Sequence, residues 1–279
     1  MKKEVPEMNK QEVMDFFIQV DRMKNPIRQY PNKTVVHFYS ESSPSLYSFQ
    51  AASLRLGCKV LTIEPSQDTF EDTVKTIQHY GDALVVRHPD PDSHRRAMAV
   101  SRIPVIQAGI QGQLTQALSD LYTIYKELTY RGIELDSITR KMIHVTFLGY
   151  GRQTQTLVQY LDLFPKISCH FVTELSAPEV IDTDILYVYP HQYQETYCVN
   201  REFLSSAKST LLLMHALPRQ DEISSDVDTN PRSVYFHQSE NGLYVRMAQL
   251  DRLFSIRSCP SLSEYIWIVL SALSSLFRR

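Results

Sequence analysis

No C-x-x-C pair occurs in this 279-residue chain. The four cysteines, Cys58, Cys169, Cys198 and Cys259, stand far apart, which argues against a metal site and fits a reducing, cytoplasmic setting. There is no excess of either charge: 29 basic residues face 31 acidic ones. Nothing in that balance calls for nucleic acid or an acidic membrane surface. Long hydrophobic runs are absent too. The longest, Tyr265 to Phe277, is interrupted by serines and too short to span a bilayer, and no apolar stretch of a secretory signal follows MKKEVPEMNK. No internal repeat or low-complexity tract is visible. The patterns G-x-S-x-G, H-E-x-x-H and the P-loop are missing, which removes the nucleophile-elbow, zincin and P-loop readings.

What is present is ordinary globular material, 43% hydrophobic and 22% charged, in a length that suits two medium-sized domains. Asn9 followed by Glu12 reads as a capping box, and Val13, Phe16, Phe17, Val20 and Met23 then recur at helical spacing until Asn25-Pro26. Short apolar runs predict strands at Thr34–Tyr39, Lys59–Ile63, Ala83–Arg87, Pro104–Gln107, Met142–Leu148, Ser168–Thr173, Asp184–Val188 and Thr210–His215. Helical patterns fall at about 43–56, 69–80, 93–101, 114–130, 151–164 and 240–255. Such alternation, with near-continuously apolar strands, predicts an α/β protein of two domains, each a parallel sheet flanked by helices. The polar stretch around Tyr130–Arg140 marks the boundary. An amphipathic pattern over about 261–277 predicts a terminal helix that packs back on the first domain. Ligands of such folds bind at the carboxyl ends of the strands.

Four segments lie at those ends. Arg87, closing a strand before His88-Pro89, is placed to hold a phosphate or carboxylate, or is a surface arginine at a turn. Gly149-Tyr150-Gly151-Arg152 runs from strand to helix, where an anion is favoured; G-x-G-x-x-G is absent, and a plain tight turn is the simpler reading. The loop His215-Ala216-Leu217-Pro218 exposes carbonyls that could accept from an amide, or is merely structural. Gln113-Leu114-Thr115-Gln116 looks like an ordinary helix start with an outward polar side chain. His37, His144 and His170 sit in or beside apolar strands and read as satisfied core histidines.

In this order the segments resemble the aspartate and ornithine carbamoyltransferase family, the aspartate branch in particular. The likeness runs through Phe38-Tyr39, Ser48-Phe49-Gln50-Ala51-Ala52, Tyr80-Gly81-Asp82 to His88-Pro89, Ala108-Gly109, Thr115-Gln116, Asp120-Leu121, Tyr150-Gly151-Arg152, His215 to Ile223 and Asn241-Gly242. It covers nearly all of the chain up to about Phe254. The resemblance implies a carbamoyl-phosphate-type domain over 1–132, completed by a C-terminal helix at 256–279, and an amino-acid-binding-type domain over 133–255. It also implies transfer of a carbamoyl group from carbamoyl phosphate to an amino acid amine, in pyrimidine or amino acid metabolism. No metal and no organic cofactor are needed, and the expected assembly is a trimer.

The departures from the family pattern concern charge. Where the family carries S-T-R-T-R, this chain reads Ser42-Ser43-Pro44-Ser45-Leu46, without either arginine. The lysine lent by a neighbouring subunit falls at about Ser66, the polarising histidine becomes Gln113, and the amino-acid-binding arginine aligns with Pro190. By the same resemblance Arg87, Gln116, Arg152, Gln192 and Leu217 remain: Arg87 for the carbamoyl oxygen or phosphate, Arg152 for the amino acid carboxylate, Leu217 through its carbonyl. The expectation is a catalytically inactive carbamoyltransferase-like chain with an assembly or regulatory role. It would form a homotrimer, or a mixed trimer with an active chain, with weak affinity for carbamoyl phosphate or phosphate. The alternative is an active enzyme with a rebuilt site or changed substrate, in which His88, His191 and His215 replace lost donors.

Overall fold

The computed structural model describes residues 8–40, 44–65, 67–109, 114–135, 141–149, 152–190 and 197–258; of residues 44, 152, 153 and 256–258 it describes the backbone alone. The helix expected over 261–277 therefore lies outside the described residues, as do Ser66, Gln113, His191 and Gln192.

The first half runs α1 (Lys10–Arg22), β1 (Thr34–Tyr39), α2 (Pro44–Arg55), β2 (Lys59–Ile63), α3 (Phe70–Ile77), β3 (Ala83–Arg87), α4 (Ser93–Val100), β4 (Val105–Gln107) and α5 (Leu114–Tyr130). The second runs β5 (Ile143–Leu148), α6 (Arg152–Leu161), β6 (Ile167–Val172), α7 (Pro178–Ile181), β7 (Ile185–Val188), α8 (Arg201–Ser206), β8 (Leu212–His215) and α9 (Tyr235–Ser258). Each half holds a four-stranded, all-parallel sheet, in the orders β2-β1-β3-β4 and β6-β5-β7-β8. The central strands β1, β3, β5 and β7 are buried almost throughout, because helices cover both faces. Edge strand β2 alternates between half-buried and exposed positions, with Leu61 on the surface.

The eight strands expected from sequence are all present within two residues. β4 begins at Val105 because Pro104 has no N–H to donate, although its carbonyl still accepts from the Leu84 N–H at 2.8 Å. Helix α9 begins at Tyr235, earlier than its hydrophobic pattern suggests, and the short helices α7 and α8 have no periodicity to announce them. The capping box of α1 is formed: Asn9 accepts from the Glu12 N–H, and Glu12 reaches back to the Asn9 N–H.

The sequence shows no repeat, yet the structure repeats one. The strand orders match, and so does the polar clamp at the amino end of each sheet. Asp82, just before β3, accepts from the Thr34 N–H at 2.9 Å and pairs with Lys33 at 2.9 Å. Asp184, just before β7, accepts from the His144 N–H at 2.9 Å and pairs with Lys208 at 3.0 Å. An aspartate there satisfies an N–H at the start of the neighbouring strand, that of Thr34 in β1 and of His144 in β5. One apolar core serves both halves: it runs from Val13 and Phe17 through Val35 and Val85 to Phe147, Tyr187 and Phe254. Helices α5 and α9 pack together in that core, and α9 also lies against α1, α2 and β8.

The histidines are only partly as expected. His144 Nδ1 and His170 Nε2 lie 3.2 Å apart, with Ser168 Oγ at 3.1 Å from the latter. His37 is fully buried; Nε2 meets Ser53 Oγ at 3.4 Å, but Nδ1 has no partner among the described residues. Burial lowers its pKa to about 4, so it stays neutral where a charged ring would go unpaired.

Replacing Asp184 by alanine strips a partner from one N–H and one ammonium. Because the pair is partly exposed, the expected loss is about 1–2 kcal/mol of unfolding free energy, read by urea denaturation. Asp82→Ala should lose a similar amount if the two clamps are equivalent.

Candidate functional site

The carboxyl ends of the first sheet are built by β1 and β3, whose last residues Tyr39 and Arg87 are register partners. The Ser40 N–H donates to the Arg87 carbonyl at 3.1 Å, so the chain leaves β1 beside that arginine and enters α2 at Pro44. Ser45, in the first turn of α2, donates to the Ala108 carbonyl at 3.3 Å. The Arg87 Nη1 group reaches Ser45 Oγ at 3.5 Å and the Ala108 carbonyl at 3.4 Å, both long for a guanidinium. Gly109, with φ +120°, makes room for it: a Cβ there would lie 2.6 Å from Arg87 Nη1.

A second guanidinium comes from α9, and the sequence reading passed over it. Arg246 is buried, 8% exposed, with its plane over the Phe49 ring at 5.2 Å and Nη1 donating to the Gly242 carbonyl at 2.7 Å. Here too a glycine is required, because a Cβ at Gly242 would lie 2.7 Å from Arg246 Nη1. The signal was a glycine four residues before an arginine on one helix, in a motif noticed only for its family likeness. Burial lowers the Arg246 pKa to about 10, so it remains a cation at neutral pH.

Between the sheets sits Asp120 of α5, 3% exposed. Its Oδ1 accepts from Gln116 Nε2 at 2.7 Å and Gln238 Nε2 at 2.6 Å, and its Oδ2 from the Tyr187 hydroxyl at 2.9 Å. Gln116 therefore turns inward along its own helix rather than out, contrary to the expectation for that segment. Burial raises the Asp120 pKa from 3.8 to about 6, and the three donors with the nearby Arg246 charge limit the rise.

The Leu217 loop joins the same network. Gln238 Oε1 accepts from the His215 N–H at 3.0 Å. His215 Nδ1 accepts from the Leu217 N–H at 2.9 Å, so the proton of the neutral ring sits on Nε2 and faces Glu222 Oε1 at 2.7 Å. Glu222 Oε2 accepts from the Gln220 N–H at 3.0 Å. These bonds hold Leu217 at φ +35°, unfavourable for a side chain with a Cβ. Arg219 is committed elsewhere, with Nη2 on Asp228 at 2.7 Å and Nη1 on the Tyr235 hydroxyl at 2.8 Å.

The structure thus connects Gln116 to Leu217 through Asp120, Gln238 and His215, and it places Arg87 beside the start of α2. Of the two described candidate histidines, His215 is not available as a replacement donor. His215 is 1% exposed with both ring nitrogens engaged, because the loop needs it as a brace. His88 packs on Phe70 at 4.8 Å and its Nδ1 accepts from the Asp90 N–H at 3.1 Å. Pro190 is exposed just past β7, and Arg152 opens α6. Gly149, φ +81°, is a packing glycine: a Cβ would fall 2.4 Å from the Tyr197 hydroxyl, which donates to the Tyr189 carbonyl at 2.8 Å. Among the described residues no three metal-ligating side chains cluster, and no helix is long and apolar enough to cross a membrane.

Two family models match: the carbamoyl-P binding domain of aspartate/ornithine carbamoyltransferase over residues 4–126, and its Asp/Orn binding domain over residues 190–253. The chain belongs to the aspartate/ornithine carbamoyltransferase family. It is 32% identical to the aspartate carbamoyltransferase catalytic subunit of Methanocaldococcus jannaschii, over 88% of this chain and 95% of that protein. Among solved structures it resembles a putative aspartate carbamoyltransferase of Leishmania major, with TM-score 0.76 and 26% identity over 88% of this chain and 92% of that one. It also resembles aspartate transcarbamoylase of Trypanosoma cruzi in complex with carbamoyl aspartate and phosphate, with TM-score 0.74 and 26% identity over 88% and 92%.

Asp120 gives a pH test. Its pKa is raised in the fold, so its contribution to stability is fully present below about pH 4 and is lost as pH rises through about 6. Asp120→Asn keeps an acceptor for the glutamines and cannot ionise. The stability difference between wild type and variant should shift in favour of the variant by up to about 3 kcal/mol from pH 4 to pH 7. Denaturant titrations across that range would show it, and a flat difference would mean the carboxyl is not strained.

Proposed function

We propose that this chain is a non-catalytic carbamoyltransferase relative that keeps the family's shape and an anion-holding first domain. Its role is then assembly or regulation. The observation that carries the reading is the joint replacement of the family's charged positions by Pro44, Ser66, Gln113 and Pro190, in a chain whose core is intact. Removing a single oxyanion-type donor typically lowers rate by about 10²–10³. Charge-assisted hydrogen bonds are worth roughly 1.5–3 kcal/mol each. With a phosphate arginine, a lysine, a histidine and a substrate arginine gone together, little acceleration survives even with strong non-additivity. The commitment of both ring nitrogens of His215 to the Leu217 loop weighs against a rebuilt site.

In this reading residues 1–132 form the carbamoyl-phosphate-type domain and 133–255 the amino-acid-type domain. Arg87, Gln116, Arg152, Gln192 and Leu217 are the residual ligand-binding positions. The relative from Trypanosoma cruzi, solved with carbamoyl aspartate and phosphate, supports phosphate as the ligand class. The exposed edge strand β2 and the family's habit of oligomerising support a trimer, either of this chain or mixed with an active relative.

Purified protein with carbamoyl phosphate and aspartate should form carbamoyl aspartate at less than one-hundredth of the rate of an ordinary family member. Turnover above that level would end the non-catalytic reading. Pro44→Arg, Gln113→His and Pro190→Arg should each fail alone, and rescue by one of them would contradict loss in concert. Light scattering at micromolar concentration should give a trimer's mass. A monomer with no co-purifying carbamoyltransferase would leave the assembly role unsupported.

A further inference from the structure

Two histidines meet near the amino end of the second sheet, away from the strand ends that form the site described above. His144 lies in β5 and His170 in the edge strand β6. Their register partners are Ser168 and Thr146, so alternation puts His144, Ser168 and His170 on one face of the sheet. Cys169 points to the other face and packs against the apolar core. All three side chains on the shared face are half-buried, which leaves water access to them.

The polar atoms of the three converge. His144 Nδ1 lies 3.2 Å from His170 Nε2, and Ser168 Oγ lies 3.1 Å from that same Nε2. A neutral imidazole nitrogen carries either one proton or one lone pair, so Nε2 faces one partner more than it can bond well. A cation that takes the lone pairs of both rings removes that conflict. Two nitrogens held at about 2.0–2.1 Å from one zinc ion, at an angle between right and tetrahedral, stand roughly 2.8–3.4 Å apart. The observed separation falls inside that range.

The surrounding charge also favours a cation. Asp184 accepts from the His144 N–H at 2.9 Å, and the Asp182 carboxylate is close enough to feel charge on the His144 ring. Lys208 pairs with Asp182 at 2.9 Å and with Asp184 at 3.0 Å. Two carboxylates against one ammonium leave one negative charge beside the pair. The imidazoles select the class of ion, because neutral ring nitrogens suit zinc, copper and nickel, whereas magnesium and calcium take oxygen ligands.

We propose that His144 and His170 chelate a divalent transition-metal ion of the zinc class, with Ser168 and water completing its shell. Two protein ligands make an open, exchangeable site rather than a closed structural one. Bound there, the ion ties edge strand β6 to β5 through side chains, in addition to the backbone ladder. The site is independent of whether the chain transfers carbamoyl groups.

The test is calorimetric titration of the full chain with zinc chloride, and separately with magnesium chloride. Wild type, His144→Gln and His170→Gln are compared, each first shown to be folded by circular dichroism. Saturable zinc binding at micromolar concentration is expected for the wild type, and each substitution should weaken it at least tenfold. If one variant does not fold, the other carries the decision, since removing either imidazole breaks the chelate. No saturable binding up to millimolar zinc overturns the proposal. So does binding that the folded variants keep, which would belong to other side chains, and so does a loss confined to one of two folded variants. Magnesium binding as tightly as zinc would assign the cation to Asp182 and Asp184 and overturn the histidine pair.

Discussion

Asp120 is the constraint on which the arrangement of the two halves depends. A carboxylate at 3% exposure loses its hydration and survives only with donors in place. It finds them on three different elements: Gln116 on its own helix, Tyr187 on β7 and Gln238 on α9. Tyr187 and Gln238 fix β7 and α9 relative to α5. Gln238 then passes the constraint to the backbone of β8, and His215 passes it to the Leu217 loop. Deleting any one partner would leave a buried charge under-solvated, so the network holds or fails as a unit. The apolar core supplies most of the driving force, but it is non-directional. The register between the first and second sheets needs groups with geometry, and this cluster provides them.

Parallel architecture explains why the strands were legible. A strand covered on both faces reads as a short continuous apolar run, as in Val35-Val36 or Leu84-Val85-Val86. Breaks fall where polar residues and prolines must surface. The strand order was not legible, nor was the repetition between halves. The shared features, an aspartate before the third strand and a lysine beside it, leave no common string of letters: Lys33 precedes its strand, whereas Lys208 comes from beyond α8. Helices α7 and α8 are too short for a period to show. The early start of α9 was hidden because its first turns carry Gln238 and Asn241 as network members, which interrupt the apolar stripe.

The site was legible in a different proportion. Arg87 could be placed at a strand end from its neighbours alone, and Leu217 from its proline-fixed loop. Arg246 and Asp120 could not, because a charged residue inside a helical pattern normally means an exposed face. What places them inside is tertiary: Gly242 opens a slot along one helix, and Gln238 and Tyr187 arrive from distant parts of the chain. Glycines that admit a long side chain are silent in sequence, since they look the same as glycines that turn the chain.

The pattern of loss follows which polar residues the fold can spare. Pro190 stands exposed beyond β7, where exchanging a charge for a ring disturbs no hydrogen bond of the core. Gln116 is tied to Asp120, and the Leu217 loop to His215 and Glu222, so substituting them would unsettle the packing itself. Their retention is accounted for by stability alone and says little about ligands. Arg246 is likewise held by the fold, through the Gly242 carbonyl and the face of Phe49, and only its Nε–H is left over. A buried cation kept on such terms costs desolvation that a methionine of similar volume would avoid, so packing alone explains it less well than it explains Gln116.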